Sequence, residues 1–171
     1  KFMKAAIIGA GKLGSAFAEA LLESGNEVTL LDSSEEKTQN ISQSLDIFTI
    51  TADAKQIDVL KDISIDEYDL LIATTDNDEK NILVCNFAKT LGCKKVIARV
   101  RAPEHVAQLG FIKENLGIDL IVNPDKACAD EIYKFVTQKY AIAGGKFTKD
   151  GVGLIEVTAD RMPELINKQV K

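Results

Sequence analysis

The chain has no apolar run approaching the roughly 18 residues of a membrane span, and no signal-peptide-like hydrophobic segment precedes its first strand-like stretch. A soluble, cytoplasmic protein without direct membrane insertion is therefore expected. An excess of basic residues is also missing: 26 acids against 21 bases leave a net charge of −5, and the bases are scattered. Such a surface is a poor lure for nucleic acid, and no basic helix-turn-helix is evident, so a DNA-reading redox regulator is disfavoured. Cysteine is sparse and odd in number. Cys85, Cys93 and Cys128 are widely spaced within apolar periodic segments, which fits free thiols better than disulfides or a metal site.

Catalytic groups are equally scarce. The one histidine, His105, follows Pro103-Glu104 at a helix start, where a cap or surface role outweighs catalysis. No Tyr-x-x-x-Lys pair exists, since Ile72, Thr137 and Gly144 stand four residues beyond Tyr68, Tyr133 and Tyr140. A Walker A loop is absent too: Gly14 is followed by Ser15-Ala16, with no lysine to reach the β- and γ-phosphates. The alternative of a small NAD-dependent oxidoreductase would need a missing domain or partner to supply its catalytic residues.

What the chain does have is glycine in a particular order. The apolar run Lys4-Ala5-Ala6-Ile7-Ile8 feeds Gly9-Ala10-Gly11-Lys12-Leu13-Gly14, which opens a helical pattern, and 18 residues past Gly14 a second apolar run ends at Asp32. Strand, G-x-G-x-x-G turn, amphipathic helix, strand and terminal acid make the dinucleotide-binding fingerprint. Gly9 permits the tight turn, Gly11 lets a phosphate approach bare backbone, and Gly14 lets the helix pack close to the sheet. The helix would aim its free N–H groups at that phosphate. Asp32, with Ser33 beside it, would accept from ribose hydroxyls and repel a 2′-phosphate, favouring NAD(H) or ATP/ADP over NADP.

With 171 residues and 46% hydrophobic content, the chain has enough apolar material for one full core plus a remnant. Short β-rich runs alternate with helical patterns, which predicts a Rossmann-like, doubly wound, six-stranded parallel α/β sheet. Strands are expected at Lys4–Gly9, Glu27–Asp32, Phe48–Thr51, Leu70–Thr74, Lys95–Arg99 and Leu120–Asn123. Helices are expected near Lys12–Ser24, Ser34–Ser44, Gln56–Lys61, Asn77–Leu91, His105–Glu114 and Asp125–Lys139. Asp76 or Asn77 suits the cap of the fourth helix, Gly92 its stop, and Pro124 the first turn of the last. The nucleotide-binding domain is placed at 3–140, a linker at 141–151, and a short remnant of a second subdomain at 152–171.

Other candidates fall at strand ends. Asp53, with Ala54, follows the third strand beside the expected adenine pocket, where it suits either the adenine amino group or a helix cap. Thr74 and Thr75 end the fourth strand beside the glycine turn and suit ribose or phosphate, whereas Asp76 suits a cap. Arg99 ends the fifth strand, positioned for phosphate or an interface acid. Lys12, inside the glycine turn, is placed to reach a terminal phosphate or to remain solvated.

Taken together, the fingerprint with Asp32, Thr51-Ala52-Asp53-Ala54, Ile72-Ala73-Thr74-Thr75-Asp76-Asn77-Asp78-Glu79-Lys80-Asn81 and Val96-Ile97-Ala98-Arg99-Val100-Arg101 resemble the RCK (KTN) domain of TrkA-like Trk/Ktr-type potassium-transport regulators. Similarity runs from about Met3 to Tyr140, and Gly153–Thr158 with Pro163–Lys168 resembles the start of that family's C-terminal subdomain, truncated here. The resemblance implies a regulatory subunit that binds NAD(H), ATP or ADP, forms a homodimer or gating ring, and controls a separate membrane potassium transporter or channel. It further implies phosphates on Gly9–Gly14, ribose on Asp32, the adenine edge on Asp53, and Thr74, Thr75 and Arg99 around the phosphates. One departure is Ala52, where the family usually has glycine.

Overall fold

The structure is a computed structural model, described here over residues 2–102, 108–137, 141–146 and 153–157. Six parallel strands form one sheet in the order β3-β2-β1-β4-β5-β6: β1 Lys4–Ile8, β2 Glu27–Asp32, β3 Phe48–Thr51, β4 Leu70–Ala73, β5 Lys95–Arg99 and β6 Leu120–Val122. Helices α1 Lys12–Glu23, α2 Glu35–Ser44, α3 Ile57–Asp62, α4 Asp78–Leu91 and α5 Leu109–Leu116 alternate with them. This is the Rossmann-like α/β sheet expected from the alternation of apolar runs.

The central strands are apolar on both faces because helices cover both. Ala6, Ile8, Leu31, Leu71 and Ala73 pack with Val84, Cys85 and Ala88 of α4. Their neighbours Ile7, Val28 and Leu30 pack on the opposite face with Ala18 of α1 and Ile41 of α2. Ile7 and Leu30 have no exposed surface, and burial of each stabilises the fold by about 1.5–3 kcal/mol.

Strand order reverses between β1, which pairs with β2, and β4, which pairs with β1 from its other side. In such sheets ligands bind at the carboxyl ends of the strands at this switch point. Gly9–Gly14 and Thr74–Thr75 are the segments that leave the sheet there.

Three strands end one residue earlier than expected, because Gly9, Thr74 and Asn123 already leave the ladder. Ser34 and Asn77 cap α2 and α4 from outside rather than joining them, and Gly92 caps the end of α4. The fifth helix begins at Leu109, and His105 lies outside the described residues, as does Tyr140.

By contact the chain divides into one unit over Lys1–Pro124 and another over Asp125–Lys171. The second holds helix α6, which opens at Pro124 and runs to Thr137, and an antiparallel pair of strands, β7 Ala141–Lys146 and β8 Gly153–Val157. Here the expected linker needs correction. Ala141–Lys146 is strand because its backbone pairs antiparallel with the apolar run Gly153–Val157, although alanine and glycine are poor strand formers.

Candidate nucleotide site

Backbone geometry at the end of β1 accounts for two of the three glycines. Gly9 has φ +107°, and an added Cβ would lie 2.9 Å from the Thr75 amide nitrogen. A Cβ on Gly14 would fall 1.9 Å from the Gly9 carbonyl oxygen, so α1 can abut the turn only with glycine there. Gly11 is different: its φ of −83° and ψ of −177° suit any residue, and an added Cβ would meet no protein atom within 4 Å. The fold does not require glycine at 11; the open space above it does not come from packing.

Gly11 is also the N-cap of α1, and no side chain caps that helix or places an acid in its first turn. By contrast, Ser34 accepts the Lys37 N–H of α2 at 3.4 Å, Asn77 accepts the Lys80 N–H of α4 at 2.6 Å, and both helices carry acids in their first turns. The first-turn amides of α1 and the positive end of its dipole are thus left for an anion.

Asp32 is built into the turn it was expected to complement. Its Oδ2 accepts the Ala10 N–H at 2.8 Å and its Oδ1 accepts the Ser34 N–H at 2.9 Å, pinning the glycine turn and the start of α2 to the end of β2. Each carboxylate oxygen keeps a lone pair for a ribose hydroxyl.

Thr74 and Thr75 direct their hydrogens inward. Thr74 is 4% exposed; its hydroxyl donates toward the Ile8 and Gly9 carbonyls at 3.1 and 3.2 Å, and its N–H donates to the Ile8 carbonyl. Thr75 donates both its N–H, at 2.9 Å, and its hydroxyl, at 2.6 Å, to Asn81 Oδ1. Arg99 lies across the same strand end, with Nη2 donating to the Thr75 carbonyl. Both threonines brace the turn through their donors.

Asp53 is already engaged. Its carboxylate meets Lys80 Nζ at 3.0 Å and Lys55 Nζ at 3.6 Å and accepts the Lys55 N–H at 3.2 Å. Burial raises its pKa, but the Lys80 ammonium and the Lys55 amide outweigh this and hold the carboxyl below the usual carboxylate range.

These elements enclose a cleft of about 290 Å3 lined by Ile8, Gly9, Gly11, Leu31, Asp32, Ser33, Ser34, Lys37, Ala52, Ala54, Thr74, Thr75, Asp76, Lys80 and Arg99. Eight of the thirteen expected site residues thus line one cavity: Gly9, Gly11, Asp32, Ser33, Ala54, Thr74, Thr75 and Arg99. Ala10, Lys12, Leu13, Gly14 and Asp53 are not among its walls; Ala10 and Gly14 shape the turn behind it, and Lys12 is exposed. Lys37, Lys80 and Arg99 line the cleft together with Asp32 and Asp76, and Lys80 is ion-paired with Asp53, so the charges nearly balance and the anion-favouring feature is the uncapped start of α1.

Sequence reasoning missed Lys37, Lys80 and Asn81. Lys37 and Lys80 each sit three residues past a cap, so helix phase alone could have put them at the cleft. Asn81 shares a stripe with Val84, Cys85 and Ala88, and an amide on an apolar stripe is itself a signal. Among the described residues no cluster of His, Cys, Asp and Glu could hold a metal ion, and no helix is long and apolar enough to cross a membrane.

The strand order, the glycine turn and the acid closing β2 define the dinucleotide-binding, Rossmann class of α/β domain. Within that class the chain belongs to the TrkA-N domain family, whose model matches residues 5–124. The Trk system potassium uptake protein TrkA of Halomonas elongata is 33% identical over 159 residues, covering 92% of this chain and 35% of that protein. A TrkA homolog from Methanothermobacter thermautotrophicus is 32% identical over 136 residues, 80% of this chain and 61% of its own length. The chain therefore spans about a third of the first relative and less than two thirds of the second. Among solved structures, the GsuK RCK domain superposes with TM-score 0.64 at 25% identity over 80% of this chain and 28% of that one. GsuK bound to ADP gives the same score, identity and coverage of this chain, with 34% of that chain covered.

Proposed function

We propose that this chain is the adenine-nucleotide-sensing part of a potassium-transport regulator. In this reading a phosphate lies on Gly11 and the first-turn amides of α1, with the glycine turn Gly9-Ala10-Gly11-Lys12-Leu13-Gly14 around it. The ribose lies on Asp32 and Ser33, and the base lies near Asp53 and Ala54. Thr74 and Thr75 back the turn, and Arg99 flanks the phosphates. The observation that carries this is Gly11, which has an ordinary backbone conformation, no protein neighbour for a Cβ, and an uncapped helix behind it.

The ligand class is NAD(H) or ATP/ADP rather than NADP, a reading supported by the Asp32 charge, which would repel a 2′-phosphate. GsuK, a structural relative, has been solved with ADP. We read the chain as non-enzymatic, since the TrkA relatives in the family it belongs to are named for potassium uptake rather than for a reaction. The TrkA relatives are named for potassium uptake, which supports a partner that is a membrane potassium transporter or channel. The protein would then be cytoplasmic, peripheral to the membrane through that partner, and assembled as a homodimer or ring. The strands β7 and β8 and the residues after them are read as the opening of a second subdomain following the nucleotide-binding one.

Regulation follows from unequal affinity: a nucleotide that binds one dimer geometry more tightly shifts the population toward it, and the pore responds. The test is potassium flux through the transporter reconstituted with the full-length regulator, with and without each nucleotide. A flux change that tracks occupancy is expected. Saturating nucleotide with unchanged flux and unchanged dimer geometry refutes the regulatory reading.

A further inference from the structure

Asn81 is the most deeply buried polar side chain among the described residues, with no exposed surface, yet it belongs to no part of the fingerprint. All four hydrogen-bonding positions of its amide are filled. Oδ1 accepts the Thr75 N–H at 2.9 Å and the Thr75 hydroxyl at 2.6 Å, while Nδ2 donates to the Thr75 carbonyl at 3.0 Å and the Arg99 carbonyl at 2.9 Å. A backbone N–H can only donate and a carbonyl can only accept, so this pattern fixes the orientation of the amide and demands one. An aspartate would set an oxygen against two carbonyls; an apolar residue would leave buried groups without partners.

The place of this amide in the sheet is informative. Backbone register between β4 and β5 ends at Ala73 and Ala98, before either Thr75 or Arg99. Asn81 therefore supplies the cross-link between the two strand ends just where the ladder stops. It is part of a longer seam: Asp78 accepts the Arg101 and Ala102 N–H groups at 2.8 and 2.7 Å, and the Cys85 thiol donates to the Ile97 carbonyl at 3.4 Å. Positions 78, 81 and 85 share one edge of α4, so that edge grips β5 and its exit. Of the residues the seam holds, Thr75 and Arg99 line the cleft, and Thr75 presses against the glycine turn at Gly9.

We propose that Asn81 is a positioning residue of the nucleotide site, holding Thr75 against the glycine turn and Arg99 over the cleft, so that recognition of phosphate depends on it more than recognition of the nucleoside. The proposal rests on the nucleotide reading above. A residue that only supports the core would, when replaced, weaken every ligand alike.

The experiment measures binding of ADP by calorimetry, and of adenosine by competition, to the wild-type chain, Asn81→Ser, Arg99→Ala and the double variant. If the wild type binds neither ligand, the nucleotide reading itself fails. Given wild-type binding, Asn81→Ser should weaken ADP by about tenfold and adenosine by less than about threefold, the scale of losing one charge-assisted hydrogen bond. In the Arg99→Ala background the same substitution should weaken ADP by less than about threefold, because coupled groups are not additive. Equal losses for the two ligands, additive losses, or unchanged ADP binding in a folded Asn81→Ser variant overturns the proposal. Should Asn81→Ser not fold by circular dichroism, Thr75→Val, which removes only the hydroxyl that donates to Asn81 Oδ1, replaces it with the same expectations. Arg99→Ala alone decides in either case: a loss as large for adenosine as for ADP refutes a phosphate-directed arrangement.

Discussion

Substituting Gly11 by alanine separates what the fold needs from what a ligand needs. The new methyl would meet no protein atom within 4 Å, and the backbone at φ −83° accepts alanine without strain. Gly11 is an N-cap, and alanine is a poorer cap than glycine, so the folded state should lose no more than about 1 kcal/mol. A phosphate resting on that backbone would be displaced by the methyl from the first-turn amides of α1. Loss of even one charged hydrogen bond is worth about 1.5–3 kcal/mol, so ADP affinity should fall by at least about tenfold. Gly14→Ala is the control: its methyl would sit 1.9 Å from the Gly9 carbonyl oxygen, and the required backbone shift should cost about 1–3 kcal/mol or more of stability. Urea unfolding and calorimetric titration on the same preparations give both readouts. Wild-type ADP affinity in a Gly11→Ala variant of wild-type stability would refute the placement of phosphate on this turn.

Three further outcomes follow from the geometry. Asp32→Asn removes an acceptor from either the Ala10 or the Ser34 amide and sets an NH2 group against it, so chemical denaturation should register a loss of about 1–3 kcal/mol, and ADP binding should weaken with it. Stability should decline on the acid side. Burial raises the Asp119 carboxyl, but the Lys89 ammonium at 2.9 Å and the Val96 N–H at 2.8 Å outweigh it and leave the pKa below the usual value, as Lys80 does for Asp53. A depressed folded-state pKa contributes stability that is present above the unfolded value of about 4 and is lost as pH falls through the folded one, so Asp119→Asn should flatten the acid limb of a melting-temperature profile. Thiol labelling should find one fast cysteine, the exposed Cys128, with Cys85 and Cys93 reacting on the timescale of unfolding because burial pushes both thiols up; a second fast thiol would contradict this.

The sheet was legible in the sequence because hydrophobic runs bounded by glycine, serine and asparagine leave few other arrangements. Glu27–Asp32, Phe48–Thr51 and Lys95–Arg99 begin and end where their patterns do. Ala141–Lys146 was not legible, since its strand character depends on pairing with Gly153–Val157, which local composition does not encode. At the cleft, residues fixed by backbone logic were readable: Gly9, Gly14 and Asp32 follow from what a turn and a strand end demand, whereas Gly11 answers no demand of the fold. Side-chain direction was not. Thr74 and Thr75 reach the expected place but turn their donors into the chain, and Asp53 reaches its loop but is held by Lys80 and Lys55. The Thr75 and Asp53 outcomes depend on Asn81 and Lys80 of α4, and the Thr74 outcome on the Ile8 and Gly9 carbonyls, partners whose placement against the strand ends only the packed structure supplies.

Occupancy of the cleft by an adenine nucleotide is read directly by calorimetric titration of the purified chain with ADP, ATP, NAD, NADH and NADP at two salt concentrations. Saturable binding of at least one of the first four, weakened by salt as Lys37, Lys80, Arg99 and the α1 terminus require, with NADP weaker than NAD, is the predicted result. Binding of none of them at millimolar concentration would contradict a nucleotide site at this glycine turn.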